Sequence, residues 1–135
     1  MASRLNPYLS FDGTAREALD YYRSVFGGDL TMNTYGEFGA PDPATADRIM
    51  HGRLETPQGY TIMGADAPPG STTTPGNNIV CSLSGDTGEG LEAIWSKLAD
   101  GADIEVPFEK QMWGDTFGQL KDRYGIHWMV NVTAQ

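Results

Sequence analysis

The sequence predicts an α+β fold built from two βαβββ modules, because one order of elements occurs twice. In the first copy, an apolar strand leads to an Asp-Gly turn at 12–13, an amphipathic stretch and a glycine pair at 27–28. In the second copy, a strand leads to a Gly-Asp turn at 85–86, another amphipathic stretch and Gly101. A chain of 135 residues suits one domain. The duplication therefore predicts two half-modules that share one pocket.

Short apolar runs bounded by Gly, Pro or Asp predict the strands. In the first module, about 4–66, these runs are 5–11, 30–35, 49–56 and 60–64. In the second module, about 78–134, they are 78–83, 104–108, 116–121 and 127–132. The segment 67–77 is rich in Pro, Gly and Thr, which predicts a linker between the modules. A second irregular segment, 36–43, is interpreted as a pocket rim.

Each module contains one predicted helix with a reciprocal cap at its start. Thr14 is followed three residues later by Glu17, and Asp86 is followed by Glu89. Apolar residues then recur at spacings of three and four, which gives each helix a single apolar stripe. Such a stripe predicts packing against one face of a sheet.

Charge and cysteine content exclude several classes of protein. Nine Lys and Arg stand against eighteen Asp and Glu, a formal net charge of −9, so nucleic acid is not an expected partner. The single cysteine, Cys81, excludes an intrachain disulfide and is expected to be a small buried strand residue. The sequence contains neither a signal peptide nor an apolar run long enough for a membrane span. We expect a cytoplasmic protein with no membrane partner.

The sequence also lacks the common nucleotide-binding and catalytic signatures. We find no phosphate-binding Gly-Lys-Ser/Thr loop, no Gly-x-Ser-x-Gly elbow, no dinucleotide-binding glycine pattern and no paired-cysteine metal spacing. Nothing in it resembles a methyl-donor site. Chemistry that depends on these motifs is therefore not expected.

Several motifs, taken in order, resemble one known family. They are Asn-Pro-Tyr-Leu-Ser-Phe-Asp-Gly at 6–13, Glu-Ala-Leu-Asp-Tyr-Tyr at 17–22, Val-Phe-Gly-Gly at 25–28, Met-His-Gly at 50–52, Trp-Gly-Asp at 113–115, Gln-Leu at 119–120, Asp-Arg-Tyr-Gly at 122–125 and Trp128. This set is similar to the PhnB-like branch of the vicinal oxygen chelate superfamily, which includes glyoxalases, bleomycin-resistance proteins and extradiol dioxygenases. The resemblance covers nearly the whole chain.

This resemblance implies a glyoxalase/bleomycin-resistance fold, in which the modules form a curved, cup-like mixed sheet with the helices outside. It also implies a homodimer and, in catalytic members, one divalent metal held by both modules. The family's metal positions fall at or next to Asn6, Met63, Asn78 or Val80, and Met129. None of these is His, Glu or Asp, the side chains that such metals prefer. We therefore expect no cofactor, although a shift of one residue would bring His127 into the site.

The remaining residues predict a pocket for a small organic molecule. Alternation along the strands places a mixture of apolar and polar side chains on the face away from the helices. The predicted ligand-pocket residues are Asn6, Tyr8, Met63, Val80, Trp113, His127, Met129 and Asn131, with Phe108 as a further apolar wall. Apolar walls with a few polar groups are typical of small-molecule sites. Trp113 is the residue that we expect over a flat ligand, and its alternative role is that of a core residue that plugs the end of the barrel.

His51 and Glu55 are the candidate catalytic residues. They share a predicted strand face with Arg53, so that Glu55 would orient His51, or Arg53 would hold an anionic group. The alternative is an exposed polar strand face with no catalytic role. A metal pair of His51 and His127, with Glu55 or Glu109, is a further alternative.

Three functions therefore remain open from the sequence. The first is a metal-independent protein that binds a small, partly aromatic molecule. The second is a vicinal oxygen chelate enzyme of the lyase, isomerase or dioxygenase class, with an atypical metal or acid–base site around His51 and His127. The third is an interaction module that kept the fold and lost the pocket.

Overall fold

The computed structural model describes residues 3–39, 43–87 and 89–134. Contacts divide this chain into two units between Thr74 and Pro75, within the predicted linker. The first unit contains β1 (Tyr8–Phe11), α1 (Ala15–Phe26), β2 (Asp29–Thr34), a 3₁₀ turn (Gly36–Phe38), β3 (Ile49–Glu55) and β4 (Thr61–Asp66). The second contains β5 (Cys81–Asp86), α2 (Leu91–Ala99), β6 (Asp103–Lys110), β7 (Thr116–Lys121) and β8 (His127–Thr133). None of the helices within these described ranges is long and apolar enough to cross a membrane.

The two modules have the same sheet topology. The first sheet has the strand order β1-β4-β3-β2 and the second β5-β8-β7-β6. In each, the first and last strands of the module pair in parallel, and the other pairs are antiparallel. The predicted α+β class with two βαβββ modules is confirmed.

Helix α1 packs on the first sheet, and glycine allows the close approach. Leu19 of α1 is fully buried. A Cβ atom at Gly52 of β3 would lie 2.3 Å from Leu19 Cδ1, so any larger residue here would displace the Leu19 side chain. The apolar stripe of α1 consists of Ala15, Ala18, Leu19, Tyr22, Val25 and Phe26, as its spacing predicted.

Helix α2 packs on the second sheet around one aromatic pair. The Trp95 ring of α2 stacks on Phe108 of β6, with 5.1 Å between ring centroids and 20° between planes. A Cβ atom at Gly118 would come within 2.8 Å of the Trp95 ring. Phe108 therefore lies under the helix, and its predicted place as a pocket wall is wrong.

The carboxylate that accepts hydrogen bonds from the backbone N–H groups at the start of α1 comes from a strand distant in the sequence. Asp66, at the end of β4, is 3% exposed. Its Oδ1 accepts from the backbone N–H groups of Gly13 (2.8 Å) and Ala15 (3.0 Å), and its Oδ2 accepts from Ile49 (2.9 Å). Asp66 therefore ties α1, β3 and β4 together. The reciprocal cap predicted from Thr14 and Glu17 is wrong, because the Thr14 side chain forms no cap hydrogen bond.

The predicted cap of Asp86 and Glu89 is wrong. Strand β8 continues to Thr133 and pairs with Asp86, which keeps that residue in β5. Helix α2 begins at Leu91, preceded by Gly90 in a left-handed conformation. Glycine adopts this conformation without steric cost.

Two strands begin later than predicted. Pro7 has no N–H to donate to a ladder, and β1 begins only at Tyr8. Asn6 therefore precedes the strand. Strand β5 begins at Cys81, so Asn78 and Val80 precede it as well. The predicted rim at 36–43 contains the 3₁₀ turn, and its residues 40–42 lie outside the described chain.

Candidate functional site

We call the face of each sheet that points away from its helix the open face. On the first sheet, Tyr8, Met63 and Arg53 lie side by side across β1, β4 and β3. The Tyr8 hydroxyl lies 3.2 Å from Nδ1 of His51, and the two rings are 5.8 Å apart. The structure therefore joins three predicted site residues, Tyr8, His51 and Met63, on one surface.

Glu55 has a different partner from the one predicted. Its Oε1 accepts from Nη2 of Arg53 at 2.7 Å, and both side chains are about half exposed. The group that contacts the imidazole of His51 is the Tyr8 hydroxyl. Asn33, opposite His51 on β2, donates to Glu37 at 3.3 Å, and this bond lowers the pKa of the Glu37 carboxyl.

On the second sheet, Met129 and Asn131 occupy the open face, as the strand alternation predicted. Met129 lies between Ser82 and Gln119, and Asn131 lies between Ser84 and Phe117. Both are half-buried. This face therefore offers thioether, amide and aromatic groups side by side.

His127 shares this strand face but is already engaged within its module. It is 8% exposed, and its Nδ1 lies 3.0 Å from Oε1 of Glu105. The same oxygen accepts from Nε2 of Gln119 at 3.1 Å. These two bonds, that to His127 first, lower the pKa of the Glu105 carboxyl. The contacts of His127 thus connect β8 to β6 and hold the imidazole away from solvent.

Trp113 lies in the turn between β6 and β7, where Gly114 adopts a positive φ of 101°. Its side chain is 61% exposed. The ring contacts Phe117, with 6.3 Å between centroids and 58° between planes. Phe117 in turn pairs with Asn131 across β7 and β8. An exposed Trp113 ring in contact with the half-buried Phe117 therefore borders the open face of the second sheet.

A fixed carboxylate completes this surface. Oδ2 of Asp115 accepts from Nδ2 of Asn131 at 3.0 Å, and Oδ1 accepts from the backbone N–H of Ala134 at 3.0 Å. These bonds, that to Asn131 first, lower the pKa of the Asp115 carboxyl. We call Trp113, Asp115, Phe117 and Asn131 the aromatic–carboxylate site. Sequence reasoning found Trp113 and Asn131 but missed the other two, although alternation along β7 could have placed Phe117 on the open face.

Four other positions singled out from the sequence lie before or at the start of their strands. Asn6 and Val80 are half-buried and precede their strands. Cys81 is also half-buried, and burial raises the pKa of its thiol. Asn78 is exposed and lies outside β5.

The residues present do not fit the divalent metal that the fold implies. The positions carried over by resemblance supply amide or thioether groups from Asn6, Met63, Asn78 and Met129, and Val80 supplies no donor. Such groups bind divalent metals poorly without imidazole or carboxylate companions. Within the described part of the chain, no three His, Cys, Asp or Glu side chains lie together as a metal-binding group. We therefore derive no chemical step through a metal.

The fold recurs among known structures of one superfamily. A glyoxalase family protein from Bacillus cereus matches over 100% of this chain and 96% of its own, with a TM-score of 0.65 at 10% identity. The fosfomycin-resistance protein FosX from Listeria monocytogenes, solved with Mn(II) and sulfate, matches over 99% of this chain and 94% of its own, with a TM-score of 0.59 at 9% identity. At these identities the likeness shows the fold alone. That fold is the one of the vicinal oxygen chelate superfamily.

By its sequence, the chain belongs to the PhnB-like family described as 3-demethylubiquinone-9 3-methyltransferase, whose family model matches residues 3–131. Protein YjdN of Escherichia coli is 32% identical over 97% of this chain and 96% of its own. The crystal structure of PA1353 from Pseudomonas aeruginosa is 31% identical, covers 99% of this chain and 100% of its own, and has a TM-score of 0.83. The predicted resemblance to a glyoxalase-like, PhnB-like protein is confirmed.

Proposed function

We propose that the protein binds a small, flat organic molecule at the aromatic–carboxylate site without using a divalent metal. The exposed Trp113 ring, held against Phe117, is the observation that carries this proposal. An aromatic face loses unfavourable contact with water when a flat molecule covers it. The contact with Phe117 holds the ring at the edge of the sheet, so less freedom is lost on binding.

Polar groups beside the rings support the same proposal. Asn131 and Asp115 are fixed by their mutual hydrogen bond. The second lone pair of each Asp115 oxygen remains able to accept a bond from a ligand. A small number of fixed polar groups beside an apolar wall sets the orientation of a bound molecule.

Indole, a flat neutral probe, tests the proposal in the presence of a metal chelator. The three tryptophans give three indole N–H signals in a ¹H–¹⁵N spectrum. Trp95 and Trp128 are 8% and 2% exposed and serve as internal controls. We expect indole to shift the Trp113 signal and to leave the other two unchanged.

Matched variants make this test specific. Trp113→Leu is expected to abolish saturation transfer from the protein to indole. Phe38→Leu replaces another exposed aromatic residue, 63% exposed in the first module, and is expected to retain the transfer. An unshifted Trp113 signal at millimolar indole, or unchanged transfer in Trp113→Leu, would contradict the proposal.

The Tyr8–His51 contact favours a second candidate, an enzyme that removes a proton next to a carbonyl group. Among the described residues, Nε2 of His51 has no hydrogen-bond partner, while its Nδ1 contacts the Tyr8 hydroxyl. A histidine held in this way on an open face can act as a general base. Deuterium exchange into hydroxyacetone, followed by ¹H NMR, tests this candidate. It predicts exchange above the buffer rate that His51→Gln removes and His127→Gln retains, and wild-type exchange at the buffer rate would refute it.

The resemblance also supports a homodimer. Large apolar side chains are almost fully exposed at Leu5, Ile79 and Met112. Burial of such side chains against a partner chain would be favourable. Sedimentation equilibrium at micromolar concentration is expected to give twice the chain mass of 14.6 kDa. A species of one chain mass would contradict this expectation.

A further inference from the structure

We infer that the molecule bound at the aromatic–carboxylate site is an organic cation, a flat ring that carries a protonated amine. This inference rests on the proposed function and names the class of ligand. It follows from the charge of the site, which the binding proposal does not use.

Among the described residues, Asp115 receives hydrogen bonds only from neutral donors. Its two oxygens accept from an amide side chain and a backbone N–H, both neutral. In the described part of the chain, no Lys, Arg or His side chain forms an ion pair with it. The two donors favour the ionised carboxyl and do not neutralise it. The site therefore holds a negative charge in a fixed position.

Glu109 adds a second carboxyl on the same side. It pairs with Phe117 across β6 and β7, and its side chain is exposed. Lys110, the next residue, pairs with Thr116. Because side chains alternate along a strand, Lys110 lies on the opposite face of the sheet from Glu109. Lys121 is at the far end of β7 and pairs with Asp103 at 3.5 Å. The charge beside the aromatic pair is therefore negative.

The aromatic rings of the site also favour a cation. The face of an indole or phenyl ring attracts a cation, by about two- to fivefold in affinity at an exposed site. An exposed ion pair adds about one- to fivefold. An amine attached to a flat ring can place its charge near Asp115 while its ring covers Trp113. Together these contributions predict about three- to thirtyfold tighter binding of a cation than of its neutral parent.

Three probes with the same ring separate charge from shape. Tryptamine is a cation, indole is neutral and indole-3-propionate is an anion at neutral pH. Dissociation constants are measured from the Trp113 indole N–H shift. We expect tryptamine to bind most tightly, indole less tightly and indole-3-propionate most weakly, and we expect sodium chloride to reduce the differences.

Charge-removing variants complete the experiment. Asp115→Asn and Glu109→Gln are each expected to reduce the ratio of tryptamine to indole affinity. Glu92→Gln, which removes the same charge from the exposed side of α2, is the control and is expected to keep the ratio. Equal affinity for the three probes, or an unchanged ratio in both site variants, overturns the inference and leaves the proposed function standing. If none of the probes binds, the proposed function fails and the inference fails with it.

Discussion

Replacing Asp66 by alanine is expected to destabilise the first module by about 3–5 kcal/mol. The carboxylate accepts three backbone N–H groups, from Gly13, Ala15 and Ile49, at 2.8–3.0 Å. A buried donor left without a partner costs about 1–3 kcal/mol. The sum of these costs over the three N–H groups is an upper bound, because water can enter the space left by the side chain and satisfy some of these groups.

Asp66→Asn should cost less, about 1–3 kcal/mol. The amide oxygen can still accept from Gly13 and Ala15, but the amide nitrogen would face the N–H of Ile49. Asp12→Asn is the matched control, because Asp12 is exposed and forms a surface ion pair with Arg48 at 3.2 Å. Surface pairs of this kind contribute about 0.2–1 kcal/mol.

Urea denaturation followed by far-ultraviolet circular dichroism gives the free energy of unfolding. Amide hydrogen exchange at Ile49 then shows whether the loss is local to this carboxylate, because its N–H donates to Oδ2. A loss below about 1 kcal/mol for Asp66→Ala, or equal losses for Asp66→Ala and Asp12→Asn, would refute the reasoning.

Three further predictions concern the second module and metal content. Asn131→Ala removes the main donor to Asp115 and is expected to raise the pKa of that carboxyl toward its ordinary value, which a ¹³C NMR titration measures. Because the pKa is lowered in the folded state, this carboxyl stabilises the protein at neutral pH, and that stabilisation is lost as the pH falls through the lowered pKa. Gly118→Ala is expected to cost about 1–3 kcal/mol in urea denaturation, since its Cβ would meet the Trp95 ring at 2.8 Å. After dialysis against trace Mn, Fe, Co, Ni and Zn, mass spectrometry is expected to find well below one metal per chain, and a stoichiometric metal would contradict the donor-set argument.

The sequence predicted several residues of the candidate sites, but it did not predict which of them contact one another. Strand alternation placed Tyr8, His51 and Met63 on one face, and the structure has them there. The same alternation left open which residue contacts His51, because side chains of similar reach lie on both sides of it. The register between the strands brings the Tyr8 hydroxyl to His51, whereas Glu55 pairs with Arg53.

Asp115 escaped sequence reasoning for a related reason. It lies in a turn, where no periodicity assigns a side chain to a face. Its position depends on the bond from Asn131, sixteen residues away on β8. The sequence placed Phe117 in a predicted strand, but only the pairing of β7 with β8, which sets Phe117 opposite Asn131, showed that it borders the site.

The sequence by itself determined the duplicated βαβββ order and the apolar stripes of both helices. These features depend on residue type and on spacing within one segment, so neighbouring positions are enough to predict them. Only the tertiary structure decided which groups satisfy the start of α1 and which charge lies beside Trp113. Those interactions join segments far apart in the chain, as Asp66 joins Gly13 across 53 positions. Their partners become neighbours only when the strands pair in one register.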